Sequence, residues 1–357
     1  THENPRALIA APTALEILAL GLEPGAHVHP QVLARALEGH GRLLVGADED
    51  QVELRIAAHL SKDPFLLDIF ARKIDPHSTF AAEAFPQHFP KYTAELAAMG
   101  LKGKDDLGEK VSALLRERGI DPPEEWPDKL ALLDDVTRAR FARAAEVQAH
   151  WSKLRDLTKR GEYAKIYRGE AGTVHRSIVK DMPEVTYKNV ADLLESIGQK
   201  MKGVVAWGIK METHARLYGE VRTALLGRVR LFPLGNFSVN VVANQPIQSE
   251  AAFLLALAMF RFVAVTAPEL IEEEKLYARG LLDRAWVARW RTKLTPWRAP
   301  AWLILNGHDS LVAEADEEDA PQARALLEDA MTQELTIDGV TMKYTAKARV
   351  ARRASEL

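Results

Sequence analysis

The 357-residue chain has no cysteine. That excludes disulfides, thiolate metal sites and cysteine nucleophiles, and it fits a reducing compartment. No stretch reaches the roughly 18 uninterrupted apolar residues that a membrane span requires. The most apolar segment, QSEAAFLLALAMFRFVAVTA, is interrupted by Glu250 and Arg261 and reads as a buried core helix. There is no signal-peptide pattern, internal repeat or low-complexity tract. A large charge of one sign is also missing. Lys and Arg number 47 against 50 Asp and Glu, a formal charge of −3. Net charge therefore does not announce a nucleic-acid partner, which would need a local basic face. The length suits two or three lobes.

Such faces are present. Between Trp151 and Lys180 stand Lys153, Arg155, Lys159, Arg160, Lys165, Arg168, Arg176 and Lys180, against Asp156, Glu162 and Glu170. Arg216, Arg222, Arg228 and Arg230 form a second group, and the tail KYTAKARVARRASEL is basic as well. Solvated helix faces also collect charge, so neither reading is excluded by charge alone. Hydrophobic periodicity predicts helix and loop over 12–40, a buried strand in RLLVGA, and a helix from Gln51, where Val52, Ile56, Ala57 and Leu60 recur at helical spacing. It predicts a charged helical insertion over 85–150, long helices over 145–180 and 185–222, and a turn-rich, strand-like stretch in GRVRLFPLGNFSVNVVANQP. A hairpin is expected over 302–315.

Two acids occupy alike positions. In LILNGHDSLVAEAD, His308 and Asp309 stand at a bend between apolar runs; Asn306-Gly307 would suffice for a plain hairpin tip. Asp48 ends the strand RLLVGA where a helix begins, a place where Asp is commonly a cap. Two carboxylates on adjacent strand ends can also hold a pair of Mg²⁺ ions about 3.5–4 Å apart for phosphoryl transfer, and hard cations favour oxygen ligands. A triphosphate at such ions needs cations. Arg155, Lys159, Tyr163 and Tyr167, at steps of four, form one slowly drifting helical stripe. Its first half suits phosphates and its second half suits stacking on a base. The same spacing also fits an amphipathic core helix with snorkelling cations.

Together these segments resemble the family A, polymerase-I-type, DNA polymerases, in some motifs the phage-type members. DEDQVELRIAAHLSKD resembles the first palm motif, Asp-x-Ser-Gln-x-Glu-Leu-Arg, at Asp48, Gln51, Glu53, Leu54 and Arg55, with Asp50 in place of Ser. RDLTKRGEYAKIYRG resembles the fingers helix, Arg-x3-Lys-x3-aromatic-x3-Tyr-Gly, with Arg168 where the family has Gly. NGHDSLVAEA resembles the His-Asp-Glu motif at His308 and Asp309, with Ser310 in place of Glu, while Glu314 matches a further family acid. DPHSTFAAEAF resembles Asp-Ile-His-Thr through Asp75 and His77. LGRVR and NQPIQSEAA match further stretches at Arg228, Arg230, Asn244, Pro246 and Gln248. The order and rough spacing fit along residues 40–315.

The resemblance implies an α+β fold: a palm of antiparallel sheet with helices, and mostly helical fingers. Palm is expected over 1–80 and 216–357, and fingers over 81–215 with the helical insertion at about 85–150. It implies template-directed nucleotidyl transfer from a dNTP to a primer 3′-OH, with two Mg²⁺ (or Mn²⁺) held by Asp48 and Asp309. Lys159, Arg155 and His77 would hold the triphosphate, and Lys159 would protonate the leaving pyrophosphate. Tyr163 would stack on the incoming nucleotide. Tyr167 and Glu53 would crowd the sugar 2′ position, with Gln51 beside them. His308 would meet the primer end, and Arg228, Asn244 and Gln248 the primer-template, through the minor groove. Two other classes stay open. One is a single-subunit RNA polymerase or primase-like relative, against which Glu53 and Tyr163 argue. The other is a weakened palm that only binds nucleic acid, which Ser310 and Arg168 keep open.

No 3′–5′ exonuclease motif set is recognisable. THENPRALIAAP resembles the stretch that follows the thumb in phage-type members, and only 47 residues precede Asp48. The expectation is a palm-and-fingers portion without a thumb. A missing segment, a separate processivity subunit or residues 85–150 would then supply the clamp. No membrane partner is expected, and the setting is the cytoplasm of a bacterial or phage-infected cell.

Overall fold

The computed structural model describes residues 42–233, 236–294, 301–307 and 309–351. The expectations for residues 12–40, for THENPRALIAAP and for His308 lie outside the described residues. The chain divides into two compact units. The first holds residues 42–60, 220–231 and 245–351; the second holds Ser61–Gly219 and Phe232–Asn244.

Strand β1 (Arg42–Glu49) is buried on both faces for most of its length, as its near-continuous apolar run requires. Gln51, at φ +57°, turns the chain into helix α1 (Val52–Ser61). In the second unit, Asp63 begins α2 (Pro64–Ala71) and Asp75 begins α3 (Pro76–Ala84), each with Pro in the first turn and the Asp side chain accepting from backbone N–H groups. Helices α4 (Phe89–Ala98), α5 (Leu107–Glu117) and α6 (Trp126–Ala131) follow. With the 32-residue α7 (Asp135–Ile166) they enclose a core of Phe89, Leu96, Val111, Leu115, Phe141 and Trp151. The helical reading of 85–150 therefore agrees with the structure.

The predicted helix over 145–180 is α7 followed by a separate α8 (Ala171–Ile178). Its true start is set by the Asp134 side chain, which caps the N–H of Thr137. Residues 185–222 form two helices, α9 (Tyr187–Lys200) and α10 (Lys202–Tyr218), with the break at Met201 and then a strand. Asp63 is wholly buried and serves two helix starts. Its Oδ1 accepts from Phe65 and Leu66 N–H at 3.1 Å, and its Oδ2 from Gly203 at 2.7 Å and Val204 at 3.3 Å. A Cβ on Gly203 would lie 2.8 Å from the Asp63 Cα, so this approach requires glycine.

Strands β2 (Glu220–Arg222) and β3 (Val229–Leu231) form a short hairpin. The strand-like reading of residues 237–246 is overturned: α11 runs from Val239 to Thr266, with Pro246 inside it. Burial decides against local β propensity here, because Ile247, Ala251, Leu254, Ala258 and Phe262, at steps of three and four, are all buried. α11 is long and apolar enough to cross a membrane by length and composition, and half of its apolar window is buried within the protein.

After α12 (Glu273–Ala278) and α13 (Arg284–Lys293) come β4 (Trp302–Asn306) and β5 (Ser310–Asp316), the expected hairpin. Then come α14 (Ala320–Met331), β6 (Gln333–Ile337), β7 (Val340–Tyr344) and β8 (Ala346–Ala351). The main sheet is antiparallel, in the order β4-β5-β1-β8. One face, through Val45, Ala47, Leu311, Ala313, Ala315 and Ala348, packs against α11 and α14. The many alanines let helix and sheet approach closely. Truncating the fully buried Leu326 or Leu327 to Ala would cost about 2–5 kcal/mol.

Candidate active site

The register of the central strands fixes the first cluster. β1 and β5 run antiparallel with Asp48 opposite Ser310, and β8 places Lys347 opposite Asp48 on the other side. The Glu49 N–H donates to the Asp309 carbonyl at 2.9 Å, and the Gly307 N–H to the Ser310 carbonyl at 2.7 Å, which closes the bend. Asp48 and Asp309 thus stand at the same end of neighbouring strands, Asp48 exposed and Asp309 half-buried.

Sequence reasoning missed Glu49. It is 6% exposed, and neither carboxyl oxygen has a hydrogen-bond partner. Burial first, and the charge of Asp309 second, push it up to about 8. Among the described residues no group of three or more His, Cys, Asp or Glu forms a metal cage. Magnesium, however, is commonly held by one or two carboxylates completed by substrate phosphates and water. Asp48 and Asp309, beside an orphaned buried carboxyl, suit a hard divalent cation.

Glu314 does not stand in for the acid missing at Ser310. It lies four residues along β5, opposite Leu44, with its Oε1 3.0 Å from the Arg42 Nε. That contact is an ion pair without hydrogen-bond alignment. Burial raises the Glu314 pKa, and Arg42 opposes the rise.

Elsewhere in the first unit the Gln248 amide donates to the Glu53 carboxylate, which joins two residues singled out separately in the sequence. The carbonyl of Gln51 accepts from the Arg55 N–H at 3.0 Å. Arg228 is exposed in the β2–β3 connection, where its N–H bonds Thr223 Oγ1 at 2.9 Å. The buried Glu250 accepts from the Leu225 N–H at 3.0 Å in the same turn.

The second unit carries the cationic stripe on α7. Arg155 is held by Asp75 through two bonds, Nε to Oδ2 at 2.9 Å and Nη2 to Oδ1 at 3.0 Å. Burial alone would raise Asp75, but Arg155, Ser78 and Lys104 together hold it well below the usual carboxylate range. The exposed Lys159 places its Nζ 5.8 Å from the centroid of the Tyr163 ring. Tyr163 stacks on Tyr167 at 6.3 Å. Tyr167 caps α7, and Arg168 takes φ +56°, the left-handed conformation for which glycine is suited. Its guanidinium forms an ion pair with Glu212 at 3.1 Å. Asn244 is half-buried, and its Oδ1 lacks a bond.

His77 is buried, with Nδ1 2.9 Å from the Glu162 Oε2. Burial, then Arg155, pushes His77 down to about 3. Burial, then Asp75, raises Glu162 well above its ordinary value, against Arg155 and Lys159. Glu162 was missed in the sequence although a signal was there. Thr158, Glu162 and Ile166, at steps of four, lie on the buried face of α7.

The model of DNA polymerase family A matches residues 32–98. DNA polymerase I of Aquifex aeolicus is 24% identical over 319 residues, which is 87% of this chain and 40% of that protein. The thermostable DNA polymerase I of Thermus filiformis is 25% identical over 84% of this chain and 26% of its own length. The chain thus spans less than half the length of these relatives. The fold is that of the polymerase domain of Pol1 from M. smegmatis, solved with DNA primer-template and dNTP. There the TM-score is 0.50 at 18% identity, covering 92% of this chain and 44% of that one. With its motifs in order along the same span, the chain is similar in sequence to DNA polymerases of family A.

Proposed function

We propose that this chain is the palm-and-fingers part of a template-directed DNA polymerase, with the first unit as palm and the second as fingers. The observation that carries the reading is the meeting of Asp48 and Asp309 at one end of adjacent strands, from opposite ends of the chain. They would hold two Mg²⁺, or Mn²⁺. When bound, such ions stabilise the attacking and leaving oxygens of an in-line displacement. Lys159 and Arg155 take the triphosphate with His77, and the Lys159 ammonium gives a proton to the departing pyrophosphate. Tyr163 stacks on the incoming base, and Tyr167 crowds the sugar 2′ position. Glu53, fixed by Gln248 and next to the Gln51 turn, closes the space a 2′-hydroxyl would need. Arg228, Asn244, Gln248 and His308 contact primer-template. In the minor groove, acceptors are nearly alike for every pair, so contacts there test pair shape without reading sequence.

Ser310 favours one second reading, a palm that binds nucleic acid but turns over poorly, because no carboxylate replaces the missing one at that position. A primer-extension assay with Mg²⁺, comparing deoxy- and ribonucleotides, separates the readings. Extension with deoxynucleotides alone supports the polymerase. Extension with ribonucleotides points to an RNA-polymerase relative, and duplex binding without extension to the inactive palm.

A further inference from the structure

We propose that Glu162 is a positioning residue: through its bond to Nδ1 of His77 it fixes the imidazole as the neutral Nε2–H tautomer, a ready donor to a phosphate oxygen of the incoming nucleotide. The proposal rests on the reading of His77 as a triphosphate contact.

The geometry is confined to the second unit. Glu162 is 0% and His77 2% exposed, and 2.9 Å separates Oε2 from Nδ1. Drawn as an ion pair, this contact would need two buried charges. The charged groups around it are otherwise engaged. Arg155 spends two donors on Asp75, Lys104 lies 3.4 Å from the same carboxylate, and Lys159 lies over the Tyr163 ring. The other Glu162 oxygen, Oε1, has no hydrogen-bond partner. An ionised carboxylate sealed from water with one bond and no paired cation is strongly disfavoured, so the carboxyl keeps its proton.

A neutral carboxyl has one O–H to donate and neutral imidazole has one acceptor nitrogen, so the O–H points to Nδ1 and the ring proton sits on Nε2. Among the described residues Nε2 has no hydrogen-bond partner. With the opposite arrangement, Nδ1–H donating to a carboxylate, Nε2 would present a lone pair to phosphate oxygens. A second ring proton would be needed, and burial and the nearby Arg155 oppose it. The pairing supplies a donor without adding charge beside Arg155 and Lys159.

The test is ¹⁵N-histidine NMR on the whole chain, with the His77 signals assigned from His77→Gln, together with single-nucleotide kinetics. In the wild type, Nδ1 should show the shift of an unprotonated ring nitrogen and Nε2 that of a protonated one. Glu162→Gln, whose amide also donates, should keep both this pattern and the wild-type KM for dNTP. Glu162→Leu should lose the tautomer preference and raise KM roughly tenfold, the effect of one hydrogen bond to a charged group, with kcat less affected. An Nδ1–H tautomer in the wild type would overturn the assignment, as would a Gln variant as impaired as the Leu variant. Should the tautomer follow the prediction while KM stays unchanged in every variant, the donor role fails together with the reading of His77 as a phosphate contact. A wild type that shows the tautomer but extends no primer would instead count against the polymerase reading.

Discussion

The two buried glutamates, Glu49 and Glu162, share a cause and differ in company. Burial pushes both towards the neutral form. Glu49 has another carboxylate for a neighbour, and its strand end concentrates acid. Glu162 has a histidine at bonding distance and Arg155 and Lys159 within electrostatic reach. The first setting is complemented by an added cation, the second by an added anion. Buried carboxyls therefore call for opposite complements according to what surrounds them.

The sharpest way to break this contrast is at the acidic end. Asp48→Asn and Asp309→Asn should each abolish primer extension, a loss on the order of a thousandfold or more for several kcal/mol of charge stabilisation. Duplex binding measured by fluorescence anisotropy should be largely unchanged. Near-wild-type extension by either variant would end the assignment. At the cationic end, Lys159→Ala should lower kcat about a hundredfold in rapid-quench kinetics. A loss seen instead as weaker DNA affinity with a shallower salt dependence would make Lys159 a simple backbone contact.

Glu53→Ala should reduce discrimination against ribonucleotides by roughly tenfold to a hundredfold in single-nucleotide kcat/KM. Gln248→Ala should act in the same direction but less, since Gln248 bears on sugar selectivity only through the carboxylate it orients. Unchanged selectivity would leave Glu53 as a support for α1.

The smallest effect is on stability. Because Asp75 is held below its ordinary value, its contribution is complete above the unfolded carboxylate pKa of about 4 and is lost as the pH falls below that. Asp75→Asn should cost about 1–3 kcal/mol at pH 7 in urea unfolding, and the gap from wild type should narrow by pH 3. A gap independent of pH would mean that Asp75 matters only as the cap of α3.

Much of the local structure around the candidate site was legible because its motifs are local. DEDQVELR carries strand, turn and helix in one run, and the hairpin signal around Asn306-Gly307 is equally compact. What was not legible is the pairing of distant partners. Nothing within a few residues of Arg155 indicates Asp75, and nothing near His77 indicates Glu162; only packing brings them together. Residues 237–246 misled for a related reason. Val239, Val241 and Val242 favour a strand locally, whereas the buried stripe that makes them helical lies mostly further along α11. At Arg168 the chain adopts the left-handed turn without the glycine that normally signals it. The Arg168–Glu212 pair, between residues far apart in sequence, is part of what holds that turn.

Asp63 has a consequence for anyone who would dissect the protein. One carboxylate closes the start of α2 and, from the opposite oxygen, the start of α10. A piece of the chain that ends before Gly203 would keep the first pair of donors and lose the second, leaving a buried oxygen with nothing to bond. The start of α2 is therefore tied to a segment synthesised far later. Ribosome-bound chains that stop short of α10 should hold this unit in a loosened state, which closes only when Gly203 emerges and reaches Asp63.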